Sequence, residues 1–395
     1  MVYDPRELRG RAAIVGVADA ASPTGSLGRG ARALEVEMIR EALDDAGLRL
    51  SDVDALFVAS PMGSVELAEY LGIQPRYTDT TSLGGSSYEV HVEHAAAALA
   101  LGLCDVAVSV YAATPRAQGA SRPGRRAMPG WDPGRPSPRL EWEAPYGIRL
   151  PVGGYALAAS RHMGVYGTQP EQLAAIAVST REWAARNPRA RYREPITVQD
   201  VLASRFVCEP LHLLDCCLVT DGAGAIVMTR ADRARDLAKP PAFVLGAGTS
   251  HTHLHISAMP DLTVTAGAVS GPKAFEMAGV SPSDVDLLMT YDSFTITVLL
   301  ALEDLGFCKK GEGGAFAQAG TLGPGGALPT NTNGGGLSYT HPGQYGMFLL
   351  VEAVRQLRAE ADERQVPDVE IAVAHGCGGV LSSTSTVVLG SEAST

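Results

Sequence analysis

No apolar run in this chain reaches the roughly 18 residues that a membrane-spanning helix requires. The opening stretch MVYDPRELRGRAAIVG has no apolar core of the length a secretory signal needs, so the chain is expected in the cytoplasm, away from any membrane. Positive charge is also short. With 32 Lys and Arg against 43 Asp and Glu the net charge is −11, the wrong sign for a protein that displaces counterions from nucleic acid. An anionic ligand would have to meet a local basic patch, because the overall field repels it. The six cysteines, Cys104, Cys208, Cys216, Cys217, Cys308 and Cys377, contain no Cys-x-x-Cys spacing. Zinc ribbons and redox dithiols therefore lack their ligand pattern, and the thiols read as reduced and mostly buried. His251, His253 and His255 alternate in HTHLH and would share one face of a strand, but no carboxylate or cysteine flanks them closely. No metal is expected there.

What the sequence does have is an internal repeat. At a constant offset of 232 residues, Ala42, Ala46, Gly47, Ser51, Asp52, Val53, Asp54 and Leu56 each meet an identical partner in the segment Lys273 to Leu288. Each copy reads as an amphipathic helix stopped by a glycine, a short turn, and an apolar strand. Gly47 and Gly279 stand where a helix takes a left-handed C-terminal residue. Later elements echo one another as well. HVEHAAAALALGLCDVAVSVYAA and GMFLLVEAVRQLR with DVEIAVAHG are each a helix feeding a buried strand, and DGAGAIVMT and GGVLSSTSTVVLG close the two halves. The expected class is α/β, with two pseudo-symmetric halves packed as stacked layers of helices and sheets. The boundary is expected near Pro240–Pro241, giving halves 1–241 and 242–395. One stretch fits neither pattern. Residues 115–152 are rich in Pro, Gly and Arg (Arg116, Arg122, Arg125, Arg126, Arg135, Arg139 and Arg149) and read as a loop excursion, within a wider loop region 115–207 of the first half. It is either a solvated insertion or a cationic lip for phosphate groups or a protein partner.

Four segments in order along the chain, GGSSYEVHVEHAAAALALGLCD (84–105), TYDSFTITVLLALEDLGFCKKGEGGAF (290–316), NTNGGGLSYTHPGQYGM (331–347) and AHGCGGVLSS (374–383), resemble the thiolase superfamily and its lipid-transfer-protein, or sterol-carrier, branch. The resemblance implies a thiolase fold of five layers, αβαβα. TYDSF, LEDLGFC, NTNGGGLS, HPGQYGM and EAVRQLR bring the chain near the steroid side-chain aldolases of that superfamily. It also departs from the thiolase pattern. Where thiolases carry a nucleophilic cysteine, this chain has Gly85 or Ser86, and the position of their second cysteine is Gly376, with Cys377 one place off register. Ser86 or Ser87 would need a general base, for which only His91 and His94 are near in sequence; helix caps are the commoner role for such serines.

Without a thiolate, the resemblance implies retro-aldol cleavage of a β-hydroxyacyl-CoA into a ketone and propionyl-CoA. A base must take the hydroxyl proton, the thioester must be stabilised as it becomes an enolate, and an acid must protonate the α-carbon. His341, the histidine of the family's Gly-His-Pro motif, is expected to donate to the thioester oxygen. Tyr291 and Tyr345 are expected to divide the base and acid roles, provided their pKa values are drawn down toward neutrality, with Tyr339 a rival in the same loop. Asp292 either orients Tyr291 or caps the following helix, the cap being favoured. Gly334, Gly335, Gly378 and Gly379 are candidates for close backbone approach to the CoA thioester. Two rival functions are an acyltransferase with an atypical nucleophile and a non-catalytic acyl-CoA-binding subunit. The resemblance further implies a small OB-fold partner of the domain-of-unknown-function-35 family, a homodimer core and hence a heterotetramer. No cofactor beyond the substrate's own CoA is expected.

Overall fold

The computed structural model describes residues 5–118, 138–148 and 150–395. The first half runs β1 (Ala12–Ala20), α1 (Ala31–Ala46), β2 (Ala55–Val58), α2 (Gly63–Leu71), β3 (Tyr77–Asp79), α3 (Ser87–Ala100) and β4 (Val106–Ala113). After the excursion come α4 (Pro151–Tyr166), α5 (Pro170–Ala185), α6 (Val198–Ala203), the small hairpin β5 (Phe206–Cys208) and β6 (Leu211–His212), then β7 (Gly222–Arg230) and α7 (Ala231–Ala234). The second half has β8 (Ala242–His251), α8 (Gly267–Ala278), β9 (Leu287–Thr290), α9 (Thr295–Asp304), α10 (Gly313–Gln318), α11 (Gly346–Leu357), β10 (Ile371–Gly378) and β11 (Ser383–Gly390).

The repeat is real in three dimensions. Strand order β3-β2-β4-β7-β1 in one half is mirrored by β8-β11-β10-β9 in the other, and β1 joins β8 through two residue pairs, Ala13 with Phe243 and Ile14 with Ala242. Helix α1 covers the outer face of the first sheet and α8 that of the second, while α3 and α11 touch strands of both sheets. Five layers result, as the thiolase resemblance implied. The repeated residues explain themselves. Gly47 and Gly279 end α1 and α8 in the left-handed region, at φ 70° and 68°. Asp54 accepts from the backbone N–H of Val106 at 2.8 Å, and Asp286 accepts from that of Ile371 at 2.9 Å. Each aspartate therefore fastens the first residues of the next strand in its sheet, a job that recurs because the halves recur.

The loop expected over 115–207 is in large part helical. Pro151 and Pro170 stand in the first turns of α4 and α5, where proline's missing N–H costs nothing, so they begin helices rather than break them. Small residues such as Gly153, Gly154, Ala156, Ala158 and Ala159 hide the apolar period of α4 from the sequence. Helix α5 packs on α9, α10 and the helical turn at Gly335–Tyr339, so part of this stretch helps build the wall of the site below. The cationic lip expected from the sequence rests mostly on Arg122, Arg125, Arg126, Arg135 and Arg149, which lie outside the described residues. Among the described residues, no helix is long and apolar enough to cross a membrane.

Candidate active site

Three loops that follow core elements converge where the two halves meet. One leaves β9 as Tyr291–Asp292–Ser293, one links Asn331 to Tyr345 ahead of α11, and the third is the turn at Gly84–Ser86 that opens α3. Tyr291 and His341, fifty residues apart, meet directly: Tyr291 Oη lies 3.0 Å from His341 Nε2, and the same hydroxyl donates to the Gly343 carbonyl at 3.3 Å. The backbone N–H of His341 donates to Thr220 Oγ1 at 2.7 Å, which fixes the imidazole's base on β7's leading loop. Tyr345 completes the cluster, edge-on to Tyr291 with ring centroids 6.0 Å apart and stacked on His341 at 6.2 Å. All three sequence-nominated residues are therefore together.

Their hydroxyls are not equivalent. Tyr345 is fully buried, and its Oη donates to Asn333 Oδ1 at 2.9 Å, the atom that also accepts the Gly335 N–H. It braces the glycine turn. Tyr339 belongs elsewhere: its hydroxyl donates to Asp19, which Arg189 and Arg355 also grip, so it serves a buried ionic cluster. Burial pushes the phenols of Tyr291 and Tyr345 well above the usual tyrosine range, the reverse of the expected pull toward neutrality. The cause is burial, which penalises the charged phenolate and outweighs the Asn333 hydrogen bond that lowers Tyr345.

Asp292 does neither of the two things considered for it in the form expected. It accepts the N–H of Gly336 at 2.6 Å and of Leu337 at 3.1 Å, so it caps the turn at Gly335–Tyr339 rather than its own following helix. Burial raises it, against those two hydrogen bonds, to about 7. The candidate glycines face protein. A Cβ on Gly334 would meet Ala184 at 2.6 Å, one on Gly335 would lie 2.0 Å from Asp292, and one on Gly378 would strike the Leu83 carbonyl at 1.7 Å. A Cβ on Gly379 would sit 2.6 Å from Ser382 Oγ. Gly335 permits the close crossing of the two loops that hold Tyr291 and His341, while the others let the chain pack on α5, on Leu83 and on the turn at Ser382. Gly85 lets its turn pack on Tyr291: its Cβ would overlap the Tyr291 ring at 2.1 Å.

No activated nucleophile stands here among the described residues. Cys377 borders the site, its carbonyl facing Gly85, but burial pushes its thiol up to about 12. Ser86 Oγ donates to the Leu83 carbonyl and pairs with Ser383, while Ser87 Oγ donates to the Gly84 carbonyl. His91 uses both ring nitrogens on Ser109 and Thr81, and burial lowers it to about 4, so it forms no pair with either serine. His94 pairs with Asp79 on the far side of the helix. Of the HTHLH histidines, His251 bonds Ser383 and His253 bonds the Val380 carbonyl.

Comparison with known proteins places this geometry. A steroid side-chain-cleaving aldolase of Thermomonospora curvata is 36% identical over 98% of this chain and 99% of its own length. The chain belongs to the thiolase superfamily. Within it, the chain stands in the lipid-transfer-protein branch beside the side-chain-cleaving aldolases. The thiolase C-terminal domain-like family matches residues 248–391. A 17-hydroxy-3-oxo-4-pregnene-20-carboxyl-CoA lyase of Mycobacterium tuberculosis is 35% identical over 97% of this chain and all of its own. The solved Ltp2-ChsH2(DUF35) aldolase superposes with a TM-score of 0.87 at 35% identity, covering 98% of this chain and 99% of that one. In this superfamily member a tyrosine, Tyr291, stands directly against the imidazole of His341.

Sequence reasoning missed Asn333 and Thr220, which hold Tyr345 and His341, because such second partners carry no motif. It also missed Glu89. That residue lies on the stripe Glu89, Val92, Ala96, Leu99 of α3, whose other members are all buried. A carboxylate on an apolar stripe was the available signal.

Proposed function

We propose that this protein is a CoA-thioester aldolase, cleaving the bond between the α- and β-carbons of a β-hydroxyacyl-CoA to give a ketone and a shortened acyl-CoA. The steroid side-chain CoA thioester is the substrate class that the relatives' names support, and propionyl-CoA is the product we assign to it. The observation that carries the reading is the 3.0 Å contact of Tyr291 Oη with His341 Nε2 in a site whose bordering thiol is buried and protonated.

A buried phenol is a poor free base, so Tyr291 acts by relay. As its oxygen accepts the β-hydroxyl proton, its own proton turns from the Gly343 carbonyl to His341 Nε2, 3.0 Å away, and no isolated phenolate forms. The imidazolium so made is the cation beside the thioester oxygen while that oxygen takes up enolate charge. Tyr345 positions the pair, stacking on the imidazole and tying the glycine turn through Asn333.

Partner and assembly follow the same reading. We assign the chain a small OB-fold partner of the domain-of-unknown-function-35 family and a homodimeric core, hence a heterotetramer. The test is direct. The chain, alone and co-expressed with such a partner, is given a 17-hydroxy steroid side-chain CoA thioester, and ketone and acyl-CoA are quantified while the assembly mass is measured. Cleavage without dependence on free CoA, and without an acylated side chain in the intact-protein mass, supports the aldolase. A trapped acyl-enzyme overturns it in favour of an acyltransferase. Tight acyl-CoA binding with no turnover in any assembly leaves a carrier subunit instead.

A further inference from the structure

We propose that Glu89 is a further catalytic group of this site: a neutral carboxylic acid that delivers the proton to the α-carbon of the enolate. The proposal rests on the aldolase reading above and names the acid which that reading leaves open, since the hydroxyl of Tyr345 is engaged with Asn333.

Other buried carboxyls among the described residues are held. Glu352 is bound by Arg364 and Thr332, Asp304 by Lys310 and Thr265, and Asp292 by two backbone N–H groups. Glu89 is equally buried, yet neither of its carboxyl oxygens has a hydrogen-bond partner among the described residues. A buried polar group left unpaired destabilises the fold, so its retention calls for a reason outside stability.

Its direction supplies the reason. The carboxyl fills the space that side chains at two glycines would occupy: a Cβ on Gly346 would lie 2.4 Å from Glu89 Oε2, and one on Gly376 would lie 2.2 Å from it. Gly346 follows Tyr345 in the chain. Gly376 precedes Cys377, whose carbonyl faces Gly85, the residue packed on the Tyr291 ring. Glu89, in the first turn of α3, lies four residues after Gly85 of the turn that opens that helix. The carboxyl therefore lies against Gly346, next to Tyr345, and Gly376, next to Cys377, at the border of the site, and these two glycines keep room for it. Burial pushes this group up to about 8, so at neutral pH it holds a proton to give.

The proton inventory closes. The β-hydroxyl proton leaves with the Tyr291–His341 relay, and the electrons of the breaking carbon–carbon bond pass to the thioester as an enolate while the β-carbon becomes a ketone. The enolate's electron pair then takes the proton of the Glu89 carboxyl to form the new α-C–H bond, leaving a carboxylate. The proton held by the relay returns to Glu89 before the next turnover. No oxidant or reductant is needed.

The test separates this step from cleavage. Propionyl-CoA is incubated with enzyme in deuterium oxide, and deuterium at its α-carbon is followed by mass spectrometry beside the cleavage rate on the steroid thioester. Wild-type enzyme should exchange the α-hydrogens. Glu89→Gln should slow both exchange and cleavage about 100-fold or more, the range of a lost general acid, and Glu89→Asp should retain part of each. If Glu89→Gln does not fold, Glu89→Asp decides by its exchange rate. Wild-type cleavage with exchange unaltered in a folded Glu89 variant overturns the proposal and leaves the aldolase standing. Exchange lost in the variant from a wild type that does not cleave supports Glu89 and sinks the aldolase. A wild type that neither cleaves nor exchanges overturns both.

Discussion

Replacing Tyr291 by Phe removes one oxygen and little else, and the structure sets what each consequence should be. The ring stays, because it is packed on Gly85 and edge-on to both His341 and Tyr345. The lost hydroxyl takes one partner from His341 Nε2 and one from the Gly343 carbonyl. A buried acceptor deprived of its donor costs about 1–3 kcal/mol, so a measurable fall in the urea midpoint is expected without loss of fold. The effect on turnover should be larger. If Tyr291 and His341 relay the hydroxyl proton, cleavage loses a general base worth about 10²–10⁴ in rate, or roughly 3–5 kcal/mol in the barrier. Tyr345→Phe is the built-in control. Its partner, Asn333 Oδ1, keeps the Gly335 N–H, so nothing is orphaned and stability should drop by only about 1 kcal/mol. Its rate should fall about tenfold through loosened positioning. Steady-state kinetics on a β-hydroxyacyl-CoA, with urea titrations of the same preparations, check both variants. A Tyr291→Phe enzyme with kcat within threefold of wild type would refute the relay, and a larger loss in Tyr345→Phe than in Tyr291→Phe would reverse the assignment.

Other consequences follow from the same contacts. Asp19→Asn should cost about 3 kcal/mol, at the low end for a broken buried ion cluster because Arg189 is partly exposed; a urea midpoint within error of wild type counts against that cluster. Burial alone would raise Asp19, but Arg189 and Arg355 outweigh it and hold the carboxyl well below the usual range. The stability from that cluster is therefore present above the ordinary aspartate pKa and is lost as pH falls through the native value. Glu89 has the opposite sign. Raised from 4.5 to about 8, it favours the folded state fully below pH 4.5, and that contribution is lost as pH rises to about 8, on the order of 4 kcal/mol across the window. Urea titrations at pH 5 and pH 8.5 should show Glu89→Gln gaining on wild type at the higher pH, and parallel curves would refute it. Gly335→Ala places a methyl 2.0 Å from Asp292 Oδ2 at a φ of +61°, so a loss of about 2–4 kcal/mol and a collapse of activity are expected. A normal melting temperature in that variant would show that the turn yields.

Much of this was legible in the chain itself. The repeat, its helix-ending glycines and its Ser-Asp-Val-Asp segment are local signals, because a helix stop and a strand fastening each depend on a few neighbouring residues. The His-Pro-Gly segment and its tyrosines could be nominated as one site because the motif keeps them in a short window, with Tyr291 joined to it by resemblance. Elements of α4 and α5 were illegible because small residues blur their period and proline reads as a breaker. The sequence could not tell Tyr345 from Tyr339, six residues apart in one loop, nor show that both phenols are pushed upward. Those outcomes depend on which way each phenol turns in the folded chain: Tyr345 back onto Asn333 of its own loop, and Tyr339 across to Asp19 and two arginines. Glu89 is the clearest case. On α3 alone it is one acidic residue in a helix. Only the stacking of two sheets on α3 and α11 removes water from it and brings Gly346 and Gly376 against its carboxyl. Spacing along the chain determined which residues share an element; the low dielectric and the partners that set their chemistry came from layers that pack residues hundreds of positions apart.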